Sequence, residues 1–334
     1  EGLPLAGLRV VEVARRLQGP LAGLLLRMLG AEVIRIEPPG GDARRWMPPV
    51  AGDVSAIFLA FNRGKQPVEL DVKRPDGRQA VLDLVADADV FLHNWAPGKA
   101  GELRLDFEDL APHNPRLVYA HASGWGGRLG PRPPFGTDYL VQAHAGMAEA
   151  LTPADELPVP SLVTLTDVCG GMLAAEAVLA GLLLRERSGR GGRVDSSMLA
   201  GALTLQAHAL EAFAAGREQG RCAGRPRWGV LDHPLETADG YLAVTVDGDE
   251  ALRLLARLCQ VPQGNRVATE PVIAARLREE PTAAWEHLFR DRGIPAAAVC
   301  TDLADLPTEL PMAGSLLEQV NGCWMAAAPW TFSP

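Results

Sequence analysis

Asp167 stands in the run Leu165-Thr166-Asp167-Val168-Cys169-Gly170-Gly171-Met172, where a strand-like segment meets a long Ala/Leu-rich helix. The dipole and the free N–H groups of a first helical turn favour negative charge. The paired glycines let another backbone or a ligand come close. A carboxylate so placed is either a helix cap, worth about 1 kcal/mol of helix stability, or a nucleophile for covalent chemistry. Thr166 would cap equally well, so capping does not require an acid. Position alone leaves both roles open.

The other residues that could do chemistry are cations. Arg15-Arg16, Arg44-Arg45, Arg63 with Lys65, and the run from Arg185 to Arg193 are local clusters in a chain of net charge −9. That balance argues against a nucleic-acid partner. The clusters fit either an anionic small molecule or an ordinary solvated surface. The seven histidines show no H-E-x-x-H or similar spacing, and the five cysteines contain no C-x-x-C pair, so metal chemistry is not expected. An odd number of cysteines without framework spacing fits a reducing cytosol, and a cytoplasmic location is expected. His144 and His208 fall on apolar stretches and read more readily as core or supporting residues.

The elements that must position these groups follow from the periodicity. Leu8 to Val13 reads as a buried strand, Gln18-Gly19-Pro20 follows and leads into an amphipathic helix to Met28-Leu29 stopped by Gly30, and Val33 to Glu37 reads as the next strand. The pattern continues with a strand over Val68 to Val72, a helix opened by Pro75-Asp76-Gly77, and strands over Val90–His93 and Leu117–Ala120. This is α/β patterning, and a Rossmann-like, doubly wound parallel sheet is its economical reading. Helices are expected over Val168–Arg187 and Ser197–Ala215. A strand follows Asp239-Gly240, then helices over Glu250–Cys259, Pro271–Arg278 and Thr282–Arg292, and strands over Ile294–Cys300, Leu316–Val320 and Cys323–Ala327. The expected division is a large domain over 1–227, a smaller α+β domain over 228–306, and a return segment over 307–334. No run of about 18 apolar residues is uninterrupted, so no membrane span is expected, and no secretory signal is visible at the first residues.

The first βα turn reads Gly19-Pro20-Leu21-Ala22-Gly23 rather than G-x-G-x-x-G. Pro20 removes a backbone N–H where a pyrophosphate would need one, so a nicotinamide or flavin cofactor is not expected. No G-x-S-x-G elbow and no P-loop occurs.

Seven segments in order resemble the class III CoA-transferases, the family of formyl-CoA transferase and the carnitine CoA-transferases, with alpha-methylacyl-CoA racemase as a relative. They are Leu8–Val13 through Gly19-Pro20; Leu29–Asp42; Phe61-Asn62-Arg63-Gly64-Lys65 with Leu70-Asp71-Val72-Lys73; Ala88-Asp89-Val90 through Asn94-Trp95-Ala96-Pro97-Gly98; Ser123–Gly126 with Gly136-Thr137-Asp138; Asp167–Gly171; and Gly189–Met198. The resemblance implies that Asp167 is a nucleophile that passes through an aspartyl-CoA thioester, with Gly170 and Gly171 as candidate oxyanion donors. It places Arg16, Leu17, Arg44, Arg63, Lys65, Asn94, Trp95 and Arg104 at or near coenzyme A, and Thr137, Asp138 and His144 near the substrate. It further implies coenzyme A as co-substrate with no metal or redox nucleotide, an acyl-CoA and a carboxylic acid as partners, no membrane, and an intertwined homodimer.

Departures from the family pattern are local. Ala96 replaces one arginine of the N-F-R-P-G segment, and Glu102 stands where another is expected, with Arg104 two residues on. Thr137 occupies the position of the racemase histidine and cannot titrate near neutral pH. Transfer therefore ranks above racemisation of a 2-methylacyl-CoA, and a non-catalytic acyl-CoA-binding protein is the third reading. The family's glycine-rich loop maps to Gly216–Gly229, which lacks a run of glycines, and the last residues stop short of the family's closing helix.

Overall fold

The computed structural model describes residues 2–126, 136–152, 156–214, 233–246, 248–262, 266–309 and 316–332. The chain divides into two compact units, residues 1–221 with 315–334, and residues 222–314. The stretch at 216–229, where the family's glycine-rich loop maps, and the loop between Gly126 and Gly136 lie outside the described residues.

The first unit is built on six parallel strands: β1 (Arg9–Val13), β2 (Glu32–Glu37), β5 (Gln66–Glu69), β6 (Val90–His93), β7 (Val118–Ser123) and β8 (Gly192–Ser197). A short hairpin, β3 (Val50–Ala51) and β4 (Val54–Ser55), lies between them in sequence. The sheet order is β5-β2-β1-β6-β7-β8. Counting only its own strands, that is the 3-2-1-4-5-6 order of doubly wound dinucleotide-binding folds, with a switch point between β1 and β6. The central strands β1, β2 and β6 are buried on both faces; β6 opens on the apolar run Val90-Phe91-Leu92, while Glu12 interrupts β1 and Arg35 interrupts β2.

The helices are α1 (Gln18–Met28), α2 (Ala56–Asn62), α3 (Pro75–Ala86), α4 (Lys99–Glu102), α5 (Phe107–Leu110), α6 (Asp138–His144), α7 (Met147–Ala150), α8 (Leu165–Ser188), α9 (Met198–Leu205) and α10 (Ala207–Ala214). Alternate strand residues face opposite layers. Val10, Val33, Leu92 and Ala120 pack under Leu26 of α1 and Val178 of α8. Val11, Ile36, Phe91 and Tyr119 pack under Val81 and Val85 of α3. Helices on both faces cover the parallel sheet, as the alternating pattern predicts.

Several boundaries differ from the sequence reading. β5 ends at Glu69, because its partner β2 ends at Glu37, the residue that Glu69 faces. Leu70–Val72 therefore run beyond the sheet edge and face a cavity. The stretch at Ser197 is not one helix: α9 stops at Leu205 and α10 resumes at Ala207. β8 was not anticipated, since its half-exposed alternation lacks a continuous apolar run. Helix α8 begins at Leu165, so Asp167 lies inside its first turn and no strand precedes it directly. This helix, with a mean hydropathy of 1.7 over its most apolar window, is also long and apolar enough to cross a membrane by length and composition, which counting uninterrupted apolar residues did not reveal. Its inner face, Ala174, Ala175, Val178 and Leu182, is packed on the sheet layer.

The second unit has an antiparallel sheet of β9 (Pro234–Glu236), β10 (Tyr241–Val244) and β11 (Ala296–Ala298), with β10 central. Around it lie α11 (Gly248–Leu258), α12 (Arg266–Leu277), α13 (Thr282–Asp291) and α14 (Leu306–Glu309). Leu242, Leu255, Ile273, Trp285 and Phe289 form its own core. The chain then returns to the first unit as a hairpin of β12 (Leu317–Val320) and β13 (Cys323–Ala326).

Candidate active site

The first turn of α8 receives its cap from another helix. Thr164 at the N-cap makes no side-chain bond. Asp138 Oδ1 instead accepts the N–H groups of Thr166 (2.8 Å) and Asp167 (2.9 Å) and the hydroxyl of Thr166 (2.7 Å). Asp138 opens α6, where Thr137 Oγ1 caps by accepting the N–H of Leu140, and Gln142 Nε2 donates to Asp138 Oδ2 at 2.6 Å. Asp138 thus satisfies two of the orphan donors of α8, and the Val163 carbonyl accepts the N–H of Leu165. Capping of α8 is the work of neither Asp167 nor Thr166, and the Asp167 carboxyl turns instead towards α1.

That carboxyl is half-buried and accepts the backbone N–H of Gln18, the first residue of α1. It therefore faces the positive end of a second helix. Burial, followed by the nearby charge of Asp138, pushes the Asp167 carboxyl up to about 6, against the pull of the Gln18 N–H, Arg16 and Arg44. Such a group is ionised near neutral pH and more basic than an ordinary aspartate, which suits nucleophilic attack. Gly170 and Gly171 serve the packing. A Cβ on Gly171 would lie 2.8 Å from the Gln18 carbonyl oxygen, and one on Gly170 would lie 3.0 Å from Gln18 Nε2. Both lie past the first turn, whose N–H groups alone lack an intrahelical acceptor, so this helix does not offer them as oxyanion donors.

Arg16 precedes α1 with φ of 68°, a left-handed conformation rare for a residue with a side chain. The chain is pinned there by Asn94, whose Oδ1 accepts the Arg15 N–H (2.8 Å) and whose Nδ2 donates to the Arg15 carbonyl (2.6 Å). Asn94 thereby ties the carboxyl ends of β1 and β6 together at the switch point. Arg16, Leu17 and Arg44 line a cavity of about 160 Å³ with Met47, Ile57 and Phe58. Arg44 sits in a short 3-10 turn, Ala43–Trp46, capped by Asp42.

On the other side of the switch point is a crevice of about 260 Å³ lined by Val13, Ala14, Arg15, Glu37, Val72 and Trp95, among others. It shares Val72 and Lys73 with a neighbouring cavity of about 370 Å³, around which Lys73, Arg74, Arg78, Lys99 and Arg104 gather. Glu102 lines this cavity too, paired with Lys99 at 2.7 Å. Arg104, in a left-handed conformation (φ 52°), therefore adds a cation where the family pattern has one and Glu102 does not supply it.

Three expected contacts go elsewhere. Lys65 is buried and spends all three protons on Glu12 (2.7 Å), the Pro20 carbonyl (2.7 Å) and Asn62 (3.1 Å). Burial pushes its ammonium down to about 8 despite Glu12. Arg63 bonds to Glu318 (2.6 Å) and to the carbonyls of Ala60 and Ala326, tying α2 to the hairpin β12–β13. His144, at the far end of α6 from Asp138, is exposed and packs edge-on to Trp125. Neither Lys65 nor Arg63 reaches the crevice.

The sequence reading also missed the brace behind the site. Arg35 on β2 reaches Glu12 Oε1 (2.5 Å), Glu37 (3.2 Å) and Asp42 (2.7 Å), and Arg45 makes a bidentate pair with Glu37. Three acids and the cations Arg35, Arg45 and Lys65 balance inside the fold. Arg35, Glu37 and Asp42 stand in the Leu29–Asp42 motif, but their closing partners Glu12 and Lys65 lie far off in sequence, so local pattern does not show the brace. The missed cavity cations Arg74 and Arg78 were legible only as the start of a helix.

Residues 5–310 match the model of CoA-transferase family III. The chain is 32% identical over 310 residues to the succinyl-CoA:glutarate CoA-transferase of Mus musculus, covering 87% of this chain and 71% of that protein. It is 31% identical over 347 residues to the acetyl-CoA:oxalate CoA-transferase of Acetobacter aceti, covering 98% and 88%. The crystal structure of a CAIB/BAIF family protein from Brucella suis superposes with a TM-score of 0.89 at 28% identity, covering 100% of this chain and 93% of that one. The chain belongs to CoA-transferase family III.

Proposed function

We propose that this protein moves coenzyme A from an acyl-CoA thioester to a free carboxylic acid through a covalent intermediate on Asp167. The observation that carries the reading is the external cap: Asp138 satisfies the first turn of α8, so the basic Asp167 carboxyl is free to react. The carboxylate attacks the thioester carbonyl, the C–S bond breaks, and CoA leaves as a thiolate from a mixed anhydride. The thiolate then attacks the aspartyl carbonyl, releasing the donor acid and leaving an aspartyl-CoA thioester. An acceptor carboxylate runs both steps in reverse. One thioester is exchanged for another, so the two halves are of similar energy and each barrier is lowered.

The nucleotide end of CoA is assigned to the switch-point crevice and the cavity of Lys73, Arg74, Arg78, Lys99 and Arg104, where cations meet phosphate and Trp95 offers an apolar face. The acyl group is assigned to the side of Asp167 where Arg16 and Arg44 supply positive charge for oxyanions. A homodimer is part of the proposal, since Met172, Leu179 and Leu183 leave an exposed apolar stripe on α8.

The test is to incubate the protein with a mixture of acyl-CoAs and free acids and resolve which thioesters appear. Exchange is expected, with hydroxylamine trapping mapped by mass to residue 167. Undiminished exchange by Asp167→Ala would overturn the assignment. Deuterium entering the α-carbon from heavy water without an acceptor acid would replace it with racemisation.

A further inference from the structure

Arg44 is the cation that the internal brace leaves over. Glu12, Glu37 and Asp42 are matched by Arg35, Arg45 and Lys65, and Arg44 stands outside this balance. Its backbone N–H is held by Asp42 Oδ1 at 3.1 Å, and Asp42 is itself held by Arg35 at 2.7 Å, so the brace sets where the residue stands. Among the described residues, no hydrogen bond or ion pair engages its half-buried guanidinium. Burial, then the like charge of Arg16, lowers that group from the ordinary arginine range, against the pull of Asp42 and Asp167. It stays charged all the same, since arginine does not lose its proton in proteins. A planar fork of N–H donors therefore lines a cavity with no acceptor from the surrounding chain.

The rest of that cavity suits a short chain with a negative end. Met47, Ile57 and Phe58 give it apolar walls for methylene groups. Ser55 Oγ accepts the Phe58 N–H at 3.3 Å and keeps its own O–H to donate. Asp42, the acid of the lining, has each oxygen engaged, Oδ1 by the Arg44 N–H and Oδ2 by Arg35. Asn62 is held between the Phe58 carbonyl and Lys65. The wall formed by Arg16 and Leu17 runs straight into Gln18, whose N–H holds the Asp167 carboxyl. An acyl chain carried by Asp167 thus has this cavity beside it. The volume is about 160 Å³. At roughly 30 Å³ for a water-sized group, on the order of five such groups fill it.

We propose that Arg44 determines the specificity of the acyl pocket by binding a second carboxylate at the far end of a short aliphatic chain, so that the preferred acids are dicarboxylic. This rests on the reading of Asp167 as the group that carries the acyl chain. A guanidinium holds a carboxylate through two parallel N–H···O bonds, and Met47 and Ile57 cover the methylenes between the two ends. A monocarboxylic acid of the same length sets a methyl group against the fork and leaves the half-buried charge unpaired. A site built to hydrogen-bond a group rejects the analogue that lacks it for this reason. The positive charge of Arg16 and Arg44 beside Asp167 serves every acid alike, whereas the fork of Arg44 discriminates among them. No bond forms or breaks at the far end, and the second carboxylate leaves as it arrived.

The readout is a ratio. Exchange is measured with the straight-chain diacids malonate to adipate and with the monoacids of equal carbon count, propanoate to hexanoate. The natural chain should favour the best diacid over its monoacid in kcat/KM by about 10- to 150-fold, as for one hydrogen-bonded charged pair. In Arg44→Met that ratio should collapse towards unity. Any loss of charge beside Asp167 lowers both acids together and cancels. Arg44→Lys keeps the charge without the fork and should hold an intermediate ratio, which a misfolded pocket would not. Equal use of both acids by the natural chain would overturn the proposal, and so would a preference that survives in Arg44→Met. A second measurement needs no turnover: the free acids are titrated into the protein without CoA and followed by ligand-observed NMR. Diacid binding that weakens in Arg44→Met supports the assignment, and binding that is the same in both proteins overturns it. If no acid undergoes exchange, the covalent chemistry at Asp167 falls, and this titration alone decides what Arg44 binds.

Discussion

The Asp167 carboxyl rises on folding from an ordinary 3.8 to about 6, so between those values the folded chain holds more protons than the unfolded one. Stability therefore falls as pH rises through that window, and the ionised carboxylate is a cost the fold carries at neutral pH. Asp167→Asn, which cannot ionise, should be more stable than the natural chain at pH 7 by about 1–2 kcal/mol once its partial exposure is discounted. Urea titrations should show the gain shrinking as pH falls towards 4, while exchange activity is lost at every pH. In the natural enzyme, kcat/KM should rise with pH through about 6. Lys65 makes the opposite case. Its removal in Lys65→Ala leaves Glu12 buried with only Arg35, and should cost about 3–5 kcal/mol of stability. CoA affinity in the surviving folded protein should change little, which separates a structural brace from a ligand contact. Asp167 was legible in the sequence because a motif surrounds it. The fate of Lys65 was not, because Glu12 lies 53 residues away on another strand, and Asp138 reads as a pocket residue until its hydrogen bonds to α8 are seen.

At the scale of elements, the site exists because three helices approach closely and their ends coincide. Gly23 of α1 shows how little room is left: a Cβ there would lie 1.8 Å from Glu12 Oε2. Glu12 cannot move, since Arg35 and Lys65 hold its two oxygens. Gly23→Ala should therefore destabilise the first unit by about 2–4 kcal/mol despite the better helix propensity of alanine. Equilibrium denaturation measures this, and a neutral or stabilised variant would mean that the brace is looser than its distances imply. The same spacing explains what was readable. Strands β1, β2 and β6 are buried on both faces and announce themselves by their valines and isoleucines despite Glu12 and Arg35, and α3 by the proline at its start. β8 sits at the sheet edge with one face half-exposed, so only its motif residues, Asp195 among them, drew notice. The end of β5 was unreadable for a different reason: it is set by where β2 stops, a property of pairing rather than of local sequence.

At the scale of the molecule, the outer face of α8 leaves an apolar stripe exposed among the described residues. Along α8, Met172, Leu179 and Leu183 are 54%, 37% and 55% exposed, while Ala174, Ala175, Val178 and Leu182 point into the core. Offsets of seven and four residues place the first three on one stripe. A bilayer would wet such a stripe, but the inner face of α8 is already committed to α1 and the sheet, which favours a second copy of the chain as the cover. The double substitution Leu179→Asp with Leu183→Asp leaves the inner face untouched, so the far-ultraviolet spectrum should be preserved. Light scattering should then find a dimer for the natural chain and a monomer for the variant. Vesicle flotation adds a control, since natural protein that floats with lipid would assign the stripe to a membrane instead. A natural chain that scatters as a monomer at micromolar concentration would remove the dimer from the proposed function, while leaving the chemistry at Asp167 to be judged by exchange alone.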